Sequence, residues 1–423
     1  MKVLVIGGGG REHAIIKALK KSERITRLCA APGNGGIGRD AECVRIKATD
    51  ICAITDFAVK NAVDYVVVAP DDPLALGMVD ALEEKGVRCF GPNKAAARIE
   101  SSKVFSKNLM KKYGIPTAAY ETFSDSDKAA SYLNSSSVSF PVVIKADGLA
   151  LGKGVIIAEN RAQALDAIVS IMLEKKFGAS GSSVVIEEFL SGPEVSVLAF
   201  TDGETVIPMV SSMDHKRAFD NNEGPNTGGM GVIAPNPHYT DSIAALCEKT
   251  IFLPTIRAMK EENCPFKGCL YFGLMLTKNG PMVIEYNCRF GDPETQAILP
   301  LLETGLLEIM EAVTDGKLAS VNIGWKNEHS ACVVLASGGY PSAYRTGFAI
   351  GGLGLNGEAK DGGSVIYHAG TEYRDGAFYT AGGRVLGVTA TAPALDAALE
   401  KAYKTAGAVN FEGVHYRKDI GKY

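Results

Sequence analysis

Apolar and polar positions along the first hundred residues alternate in two rhythms. Short apolar runs at residues 2–6, 27–31, 65–69 and 87–90 read as strands, and longer stretches of helical spacing lie between them. Each run ends in a turn: four glycines at 7–10, Pro32-Gly33-Asn34-Gly35-Gly36, Pro70-Asp71-Asp72-Pro73 and Gly91-Pro92. A helix starts near Arg11. This alternation predicts a parallel, doubly wound sheet. Ligands of such sheets collect beyond the carboxyl ends of the strands, where all four turns fall.

Farther on the rhythm changes. A helix is predicted over residues 101–113, stopped by Gly114-Ile115-Pro116-Thr117. Runs at 140–145, 155–158, 183–187 and 194–200 predict strands, with a Gly-rich turn at 147–154. That is the pattern of an α+β unit built on antiparallel hairpins. Residues 268–276 and 282–286 predict a further hairpin around Lys278-Asn279-Gly280-Pro281. Trp325-Lys326-Asn327-Glu328 reads as a boundary. Beyond it, strands at 331–336, 364–368, 377–381 and 384–389 and a helix near 393–406 predict a small β-rich domain. No repeat of fixed period occurs.

A chain of 423 residues has room for about two to four domains. The net charge of −4, from 44 basic and 48 acidic residues, argues against a general polyanion-binding role. Anions must be held instead by locally placed Lys, Arg and backbone N–H groups. No uninterrupted 18-residue apolar run exists, which argues against a membrane-spanning helix, and the N-terminus lacks the shape of a signal peptide. The nine cysteines are scattered, with no CxxC pair. They predict neither a disulfide framework nor a zinc module, but reduced thiols in the cytoplasm.

Several segments carry candidate chemistry. Four glycines between a strand and a helix start suit a phosphate or ribose, although the dinucleotide fingerprint GxGxxG fails and a plain tight turn is the alternative. Lys145 ends an apolar strand before a loop containing Gly148, Gly152, Lys153 and Gly154. The loop is not a Walker A motif. It reads as a hairpin tip whose backbone N–H groups fold over phosphates, with Lys145 as a point charge; a structural hairpin is the alternative. Glu187, ending another strand, suits an adenine edge, and Glu194 a ribose; a solvated strand end is the alternative. Asp214-His215-Lys216-Arg217 and the Gly-rich stretch at 224–231 form either an anion site that closes over substrate or a mobile surface loop.

The strongest segment is Val283 to Thr295. Period two puts Glu285 and Asn287 on one face of a strand, with Arg289 on the same side. A carboxylate beside an amide oxygen suits Mg²⁺ that takes water and substrate phosphates as its other ligands. Arg289 can clamp a carboxylate or phosphate through two N–H groups. An edge-strand ion pair is the alternative.

In this order the motifs resemble the ATP-grasp superfamily and, within it, the phosphoribosylamine–glycine ligase family. The carrying residues are Gly9-Gly10-Arg11-Glu12-His13-Ala14, Ala31-Pro32-Gly33-Asn34, Ile144 to Ala150, and Gly152-Lys153-Gly154-Val155. Asp214-His215-Lys216-Arg217, residues 224–231, Glu285 to Thr295, His368-Ala369-Gly370-Thr371 and Gly382-Gly383-Arg384-Val385-Leu386 complete the set. The resemblance implies an α/β multidomain fold. It has a Rossmann-like N-terminal domain at 1–101 and a two-lobed α+β ATP-grasp region at 102–325. The smaller lobe and phosphate flap take 121–190, and a small C-terminal β-rich domain takes 326–423.

The implied activity joins glycine to 5-phosphoribosylamine through glycyl phosphate, using ATP with Mg²⁺ or Mn²⁺. By resemblance, Lys103, Lys145, Gly148, Gly152, Lys153, Gly154, Glu187, Phe189 and Glu194 bind ATP, and Glu285 and Asn287 bind metal. Gly9, Gly10, Arg11, Asp71, Asp214, Lys216, Arg217, Asn226, Thr227, Gly228, Arg289 and Asp292 bind the other substrates. Lys145, Lys153 and Arg289 carry the catalytic charge. The expected partners are small molecules, not nucleic acid or membrane, and the expected state is a monomer or weak dimer. The chain departs from the family pattern at Gly8 and at Asp71-Asp72. It also offers Leu274-Met275-Leu276 where a second metal carboxylate often stands. A ligase for another substrate pair and a nucleotide sensor without turnover are the competing readings.

Overall fold

The computed structural model describes residues 1–149, 154–360 and 362–422. The first sheet is parallel and five-stranded, in the order Glu42–Cys43, Arg27–Pro32, Lys2–Gly7, Tyr65–Val68, Arg88–Phe90. Val3 to Ile6 and Tyr65 to Val68 are all buried, as strands covered on both faces require. The helix that follows the glycines spans Gly10–Leu19.

The helix expected over 101–113 is present as Lys103–Tyr113, and a separate helix that the sequence reading did not foresee, Lys94–Ser101, precedes it. Ser102 separates them with an extended backbone, and its side chain caps the N–H of Phe105 at 3.1 Å. Asp147 adds a second acceptor, taking the Val104 N–H at 3.2 Å. These caps set the helix start at Lys103 and bring that end beside the Gly-rich turn.

Two antiparallel four-stranded sheets follow. One is ordered Tyr120–Phe123, Val184–Glu188, Val142–Ala146, Val155–Ala158. Helices Ser126–Leu133 and Arg161–Ile168 pack Ala129, Leu133, Ala164 and Ile168 against Val142, Ile144, Val184 and Ile186. The other is ordered Val206–Pro208, Glu194–Thr201, Gly268–Thr277, Gly280–Asn287. It shares a core with the first sheet: Leu4, Ile6 and Val66 lie in the same buried cluster as Leu270, Phe272 and Tyr286.

The last large sheet runs Met213–Asp214, Gly231–Ala234, His329–Ala336, Arg384–Ala392, Val365–His368. Its first two strands precede Trp325 in the chain and its last three follow it. Trp325 is half-buried against the core and bridges to Leu302. Helix Leu395–Ala408 closes the far face with Ala398, Ala402 and Ala406. Among the described residues no helix is long and apolar enough to cross a membrane.

Candidate active site

The carboxyl end of the Gly280–Asn287 strand meets the turns of the parallel sheet. Glu285 lies opposite Gly273 in the neighbouring strand, and Asn287 opposite Tyr271. A Cβ on Gly273 would sit 2.7 Å from Glu285 Cγ, so that glycine makes room for the carboxylate. Glu285 Oε1 is 3.5 Å from Lys216 Nζ. Burial works to raise this carboxyl, but Lys216, Lys145, Lys103 and Arg289 override it and hold it below its ordinary range.

Arg289 is fixed from two sides. Its Nη2 donates to Asn287 Oδ1 at 3.1 Å and pairs with Glu100 Oε1 at 3.0 Å. Glu100 Oε2 accepts the Cys288 N–H at 2.7 Å, which anchors the carboxyl to the strand it serves. The Arg289 Nε is buried without a hydrogen-bond partner. A buried, unpaired guanidinium N–H is a standing invitation to an anion.

A carboxylate oxygen and an amide oxygen side by side fit a hard divalent cation. Among the described residues no cluster of three or more His, Cys, Asp or Glu could hold one. Glu285 and Asn287 are the oxygen donors that this strand would offer such an ion.

The second group of cations lies across the cleft. Lys145 Nζ is 3.0 Å from Glu187 Oε1 and donates to the Ile284 carbonyl at 2.8 Å. Lys103 Nζ donates to the Gly148 carbonyl at 2.8 Å. Burial and the neighbouring Lys145 pull the Lys103 ammonium below its ordinary value. Gly148 takes a φ of +120°, and a Cβ there would strike Ser180, so the turn needs glycine. The Gly154 carbonyl accepts the Ala146 N–H at 2.9 Å, closing the hairpin. Gly152 and Lys153 lie outside the described residues. Phe189 is 38% exposed at the strand end, and Glu194 meets Lys216 at 2.9 Å.

The third group faces the parallel sheet. The Gly9 N–H donates to Glu12 Oε2 at 2.5 Å, and the other Glu12 oxygen takes Arg11 Nε at 2.6 Å. Arg11 Nη1 reaches the Phe290 carbonyl at 3.2 Å. Burial raises the Asp71 carboxyl, and Arg289 and Arg11 outweigh it, so the group stays below its ordinary range. Gly10 sits hard against Gln296, where a Cβ would collide with Nε2. Gln296 Nε2 in turn donates to Asp292 Oδ1 at 2.7 Å.

The stretch from Asp214 to Gly231 forms the cleft wall. Thr227 Oγ1 donates to the Lys216 carbonyl at 2.8 Å and accepts the Gly229 N–H at 2.9 Å. Arg217 Nη1 donates to the Gly224 carbonyl at 2.7 Å, and Asn226 is paired with Arg217 in a two-stranded ribbon; these two hold the ribbon together. Asp214 Oδ1 is buried without a partner. Burial and the nearby Glu294 push the Asp214 carboxyl well above its ordinary range. Gly228 is held from the C-terminal part, its carbonyl accepting from Arg384 Nη1 at 2.6 Å.

Sequence reasoning overlooked Glu100, Lys107, Glu294 and the role of Arg384. Lys107 had one legible signal, since it lies one helical turn from Lys103. Glu100 had none, because its partner Arg289 lies far away in the sequence; Arg384 stood inside a carrying motif, but its bonds to Gly228 and Asp292 were not legible there.

Comparison with known proteins now adds to the geometry. Family models for the phosphoribosylglycinamide synthetase N domain, ATP-grasp (A) domain and C domain match residues 1–100, 101–295 and 330–423. A phosphoribosylamine–glycine ligase of Caldanaerobacter subterraneus subsp. tengcongensis is 48% identical over 99% of this chain and 99% of its own. One from Rhodopirellula baltica is 47% identical, over 99% and 96%. A crystal structure of phosphoribosylamine–glycine ligase from Thermotoga maritima superposes with a TM-score of 0.87 at 34% identity, covering both chains fully.

Proposed function

This chain belongs to the phosphoribosylglycinamide synthetase family, and from that premise we propose how its residues perform the ligation. The reaction joins glycine to 5-phosphoribosylamine and converts ATP to ADP and phosphate. It proceeds in two steps. The glycine carboxylate attacks the γ-phosphate of ATP to give glycyl phosphate and ADP. The amine then attacks the acyl carbon, phosphate leaves, and one proton is lost as the amide of glycinamide ribonucleotide forms.

The observation that carries this reading is the Arg289 arrangement. Its Nη2 is already taken by Glu100 and Asn287, while Nε stays buried and unpaired. That N–H suits the glycine carboxylate or the phosphate it receives. Carboxylates are ionised at neutral pH, so the first step needs no general base. Catalysis rests on positioning and on neutralising the phosphoryl charge. Lys145, Lys103 and Lys216 supply fixed cations around Glu285. We assign Lys153 and the glycines 148, 152 and 154 to the phosphates, and Glu187, Phe189 and Glu194 to the nucleoside.

ATP-grasp enzymes work with a divalent ion. Glu285 and Asn287 would hold it, as Mg²⁺ or Mn²⁺, where it would polarise the transferred phosphoryl group. On the opposite wall we assign Gly9, Gly10, Arg11, Asp71 and Asp292 to the phosphoribosyl partner, and Asp214, Lys216 and the 226–228 turn to closing over it. Residues 1–101 would then serve the acceptor, 102–325 the ATP chemistry, and 326–423 the closing wall, in a cytoplasmic enzyme.

The test is ADP release with Mg-ATP, glycine, and phosphoribosylamine made in situ from ribose 5-phosphate and ammonia, each omitted in turn. The expected result is release that needs every component, with glycinamide ribonucleotide detected by mass spectrometry. Release that requires another amino acid would overturn the glycine assignment.

A further inference from the structure

Lys107 has no place in the chemistry above, yet it is one of the most buried lysines of the molecule, 2% exposed. Burying an ammonium is costly unless partners compensate. The partners form a closed circuit. The Val283 carbonyl accepts from Thr117 Oγ1 at 2.7 Å. Thr117 Oγ1 accepts from Lys107 Nζ at 2.7 Å. Lys107 Nζ pairs with Glu187 Oε2 at 2.8 Å, and Glu187 Oε1 lies 3.0 Å from Lys145 Nζ. Lys145 Nζ closes the circuit on the Ile284 carbonyl at 2.8 Å.

The circuit begins and ends on consecutive residues of the Gly280–Asn287 strand, immediately before Glu285. It crosses both sheets of the ATP-grasp region: Glu187 and Lys145 belong to the smaller one, Val283 and Ile284 to the larger. The main chain repeats the link, since the Val283 N–H donates to the Pro116 carbonyl at 2.9 Å. Lys145 links the two sheets directly, and Lys107 links them a second time, bonded to Thr117 on one side and to Glu187 on the other.

We propose that Lys107 is a positioning residue of the nucleotide site: by holding Glu187, it aligns Lys145 of the smaller sheet with the strand that carries Glu285. It touches neither substrate nor metal and acts through Glu187. The inference rests on the ATP-grasp reading of the cleft.

The surroundings of Lys107 make the arrangement sensitive to alkali. It is faced by Glu187, by Lys145 and by the Tyr120 ring at 5.5 Å, with Lys103 and Lys111 one turn away on its own helix. Burial lowers its ammonium, Glu187 opposes the change and Lys145 adds to it, leaving the group at about 8. Above that pH Lys107 still donates a hydrogen bond but no longer pairs as a cation with Glu187.

The experiment measures Mg-ATP binding by titration calorimetry on the full chain between about pH 6.5 and 9.5, a range that brackets the Lys107 value of about 8 and stays below the ordinary lysine value. Steady-state turnover is followed in parallel. The wild type is expected to lose affinity as pH rises through about 8. Lys107→Arg keeps its charge throughout and is expected to move that fall upward by at least about one pH unit. Lys107→Met is expected to weaken Mg-ATP about 10- to 100-fold and to lower kcat as well, because Lys145 serves the transferred phosphoryl group. Thr117→Val, which cuts the circuit at its other side without touching a charge, keeps the test open should Lys107→Met fail to fold; it is expected to weaken binding about threefold. Wild-type affinity in both Lys107→Met and Thr117→Val, or a Lys107→Arg profile superimposable on the wild type, would overturn the proposal. A wild type that binds no Mg-ATP at any pH would overturn the ATP-grasp reading itself, which separates the two failures.

Discussion

Arg384 Nη1 donates to the main-chain carbonyl of Asp292 at 2.8 Å, across 92 positions of sequence. The same nitrogen reaches the Gly228 carbonyl at 2.6 Å, and Nη2 stands 3.4 Å from the Asp292 carboxylate. One guanidinium from the C-terminal part thus ties the Gly-rich turn to the segment that follows Arg289. The sheet running from Met213–Asp214 to Val365–His368 explains how it arrives there. Its strands bring residues 214, 231 and 384 into one layer.

Removing that guanidinium leaves the Gly228, Gly229 and Asp292 carbonyls and the Asp292 carboxylate short of a donor. Arg384→Met is expected to lower kcat/KM for glycine by about 10- to 100-fold, with smaller effects on Mg-ATP binding, whose groups lie across the cleft. Steady-state kinetics with each substrate varied in turn would check it. Equal losses for all substrates would indicate a general loosening of the fold.

Gly229 offers a sharper probe of the same turn. Its φ is +111°, a region that disfavours other residues. A Cβ there would strike Pro293 Cδ and lie 2.6 Å from Asp214 Oδ1. Gly229→Ala is expected to destabilise by about 1–3 kcal/mol and to cut turnover about tenfold or more. Denaturant titration beside the ADP-release assay would measure both. Gly347→Ala, also at positive φ but with nothing within 4 Å of the new Cβ, should cost stability without the loss of turnover.

Much of this was legible in the sequence, for reasons that are local. The parallel strands are continuous apolar runs stopped by glycine or proline, and the structure sets Lys2–Gly7, Arg27–Pro32 and Tyr65–Val68 within a residue or so of the expected ends. Period two put Glu285 and Asn287 on one face, and the strand register sets them opposite Gly273 and Tyr271. The helix Lys94–Ser101 was missed, although Asn93 caps it locally by accepting the Ala96 N–H at 2.9 Å. The bonds of Arg289 to Glu100, of Lys107 to Glu187 and of Arg384 to Asp292 span elements that no periodicity relates. The same limit hid the sheet that runs across Trp325, since its strands pair residues 231–234 with 330–333.

Acid should loosen the seam between the parallel sheet and the C-terminal part. His13 Nε2 lies 3.0 Å from Asp40 Oδ2, and its Nδ1 accepts the His368 N–H at 2.8 Å. The His368 ring bonds Thr371 Oγ1 and the Gly357 carbonyl. Burial pulls both imidazoles down, His368 to about 3. A histidine whose folded value lies below its unfolded value of 6.5 takes up a proton on unfolding. Its contribution is therefore present above that value and is lost as pH falls toward the folded one. The unfolding temperature should fall steadily from about pH 6.5 downward. His368→Gln should start lower at neutral pH and fall less steeply. Thermal scans of both proteins would decide it, and parallel slopes would exclude His368 as a source.

The last expectation concerns Glu285. Four cations hold this carboxyl ionised despite its burial, so it stands ready as an oxygen donor over the whole neutral range. Glu285→Gln keeps the shape and one acceptor but removes the charge that balances Lys216 at 3.5 Å. A neutral amide binds a hard divalent cation far less well than a carboxylate. Turnover with Mg-ATP is expected to fall about 1000-fold. ATP binding in the presence of a chelator should stay within about threefold, or tighten, because the local charge becomes more positive while the lysines stay in place. Raising the Mn²⁺ concentration should recover part of the rate if the lost step is metal capture. Turnover at the wild-type rate in Glu285→Gln would exclude this strand as the holder of a metal and leave the fixed cations, Lys145, Lys103, Lys153, Lys216 and Arg289, to act on the phosphates.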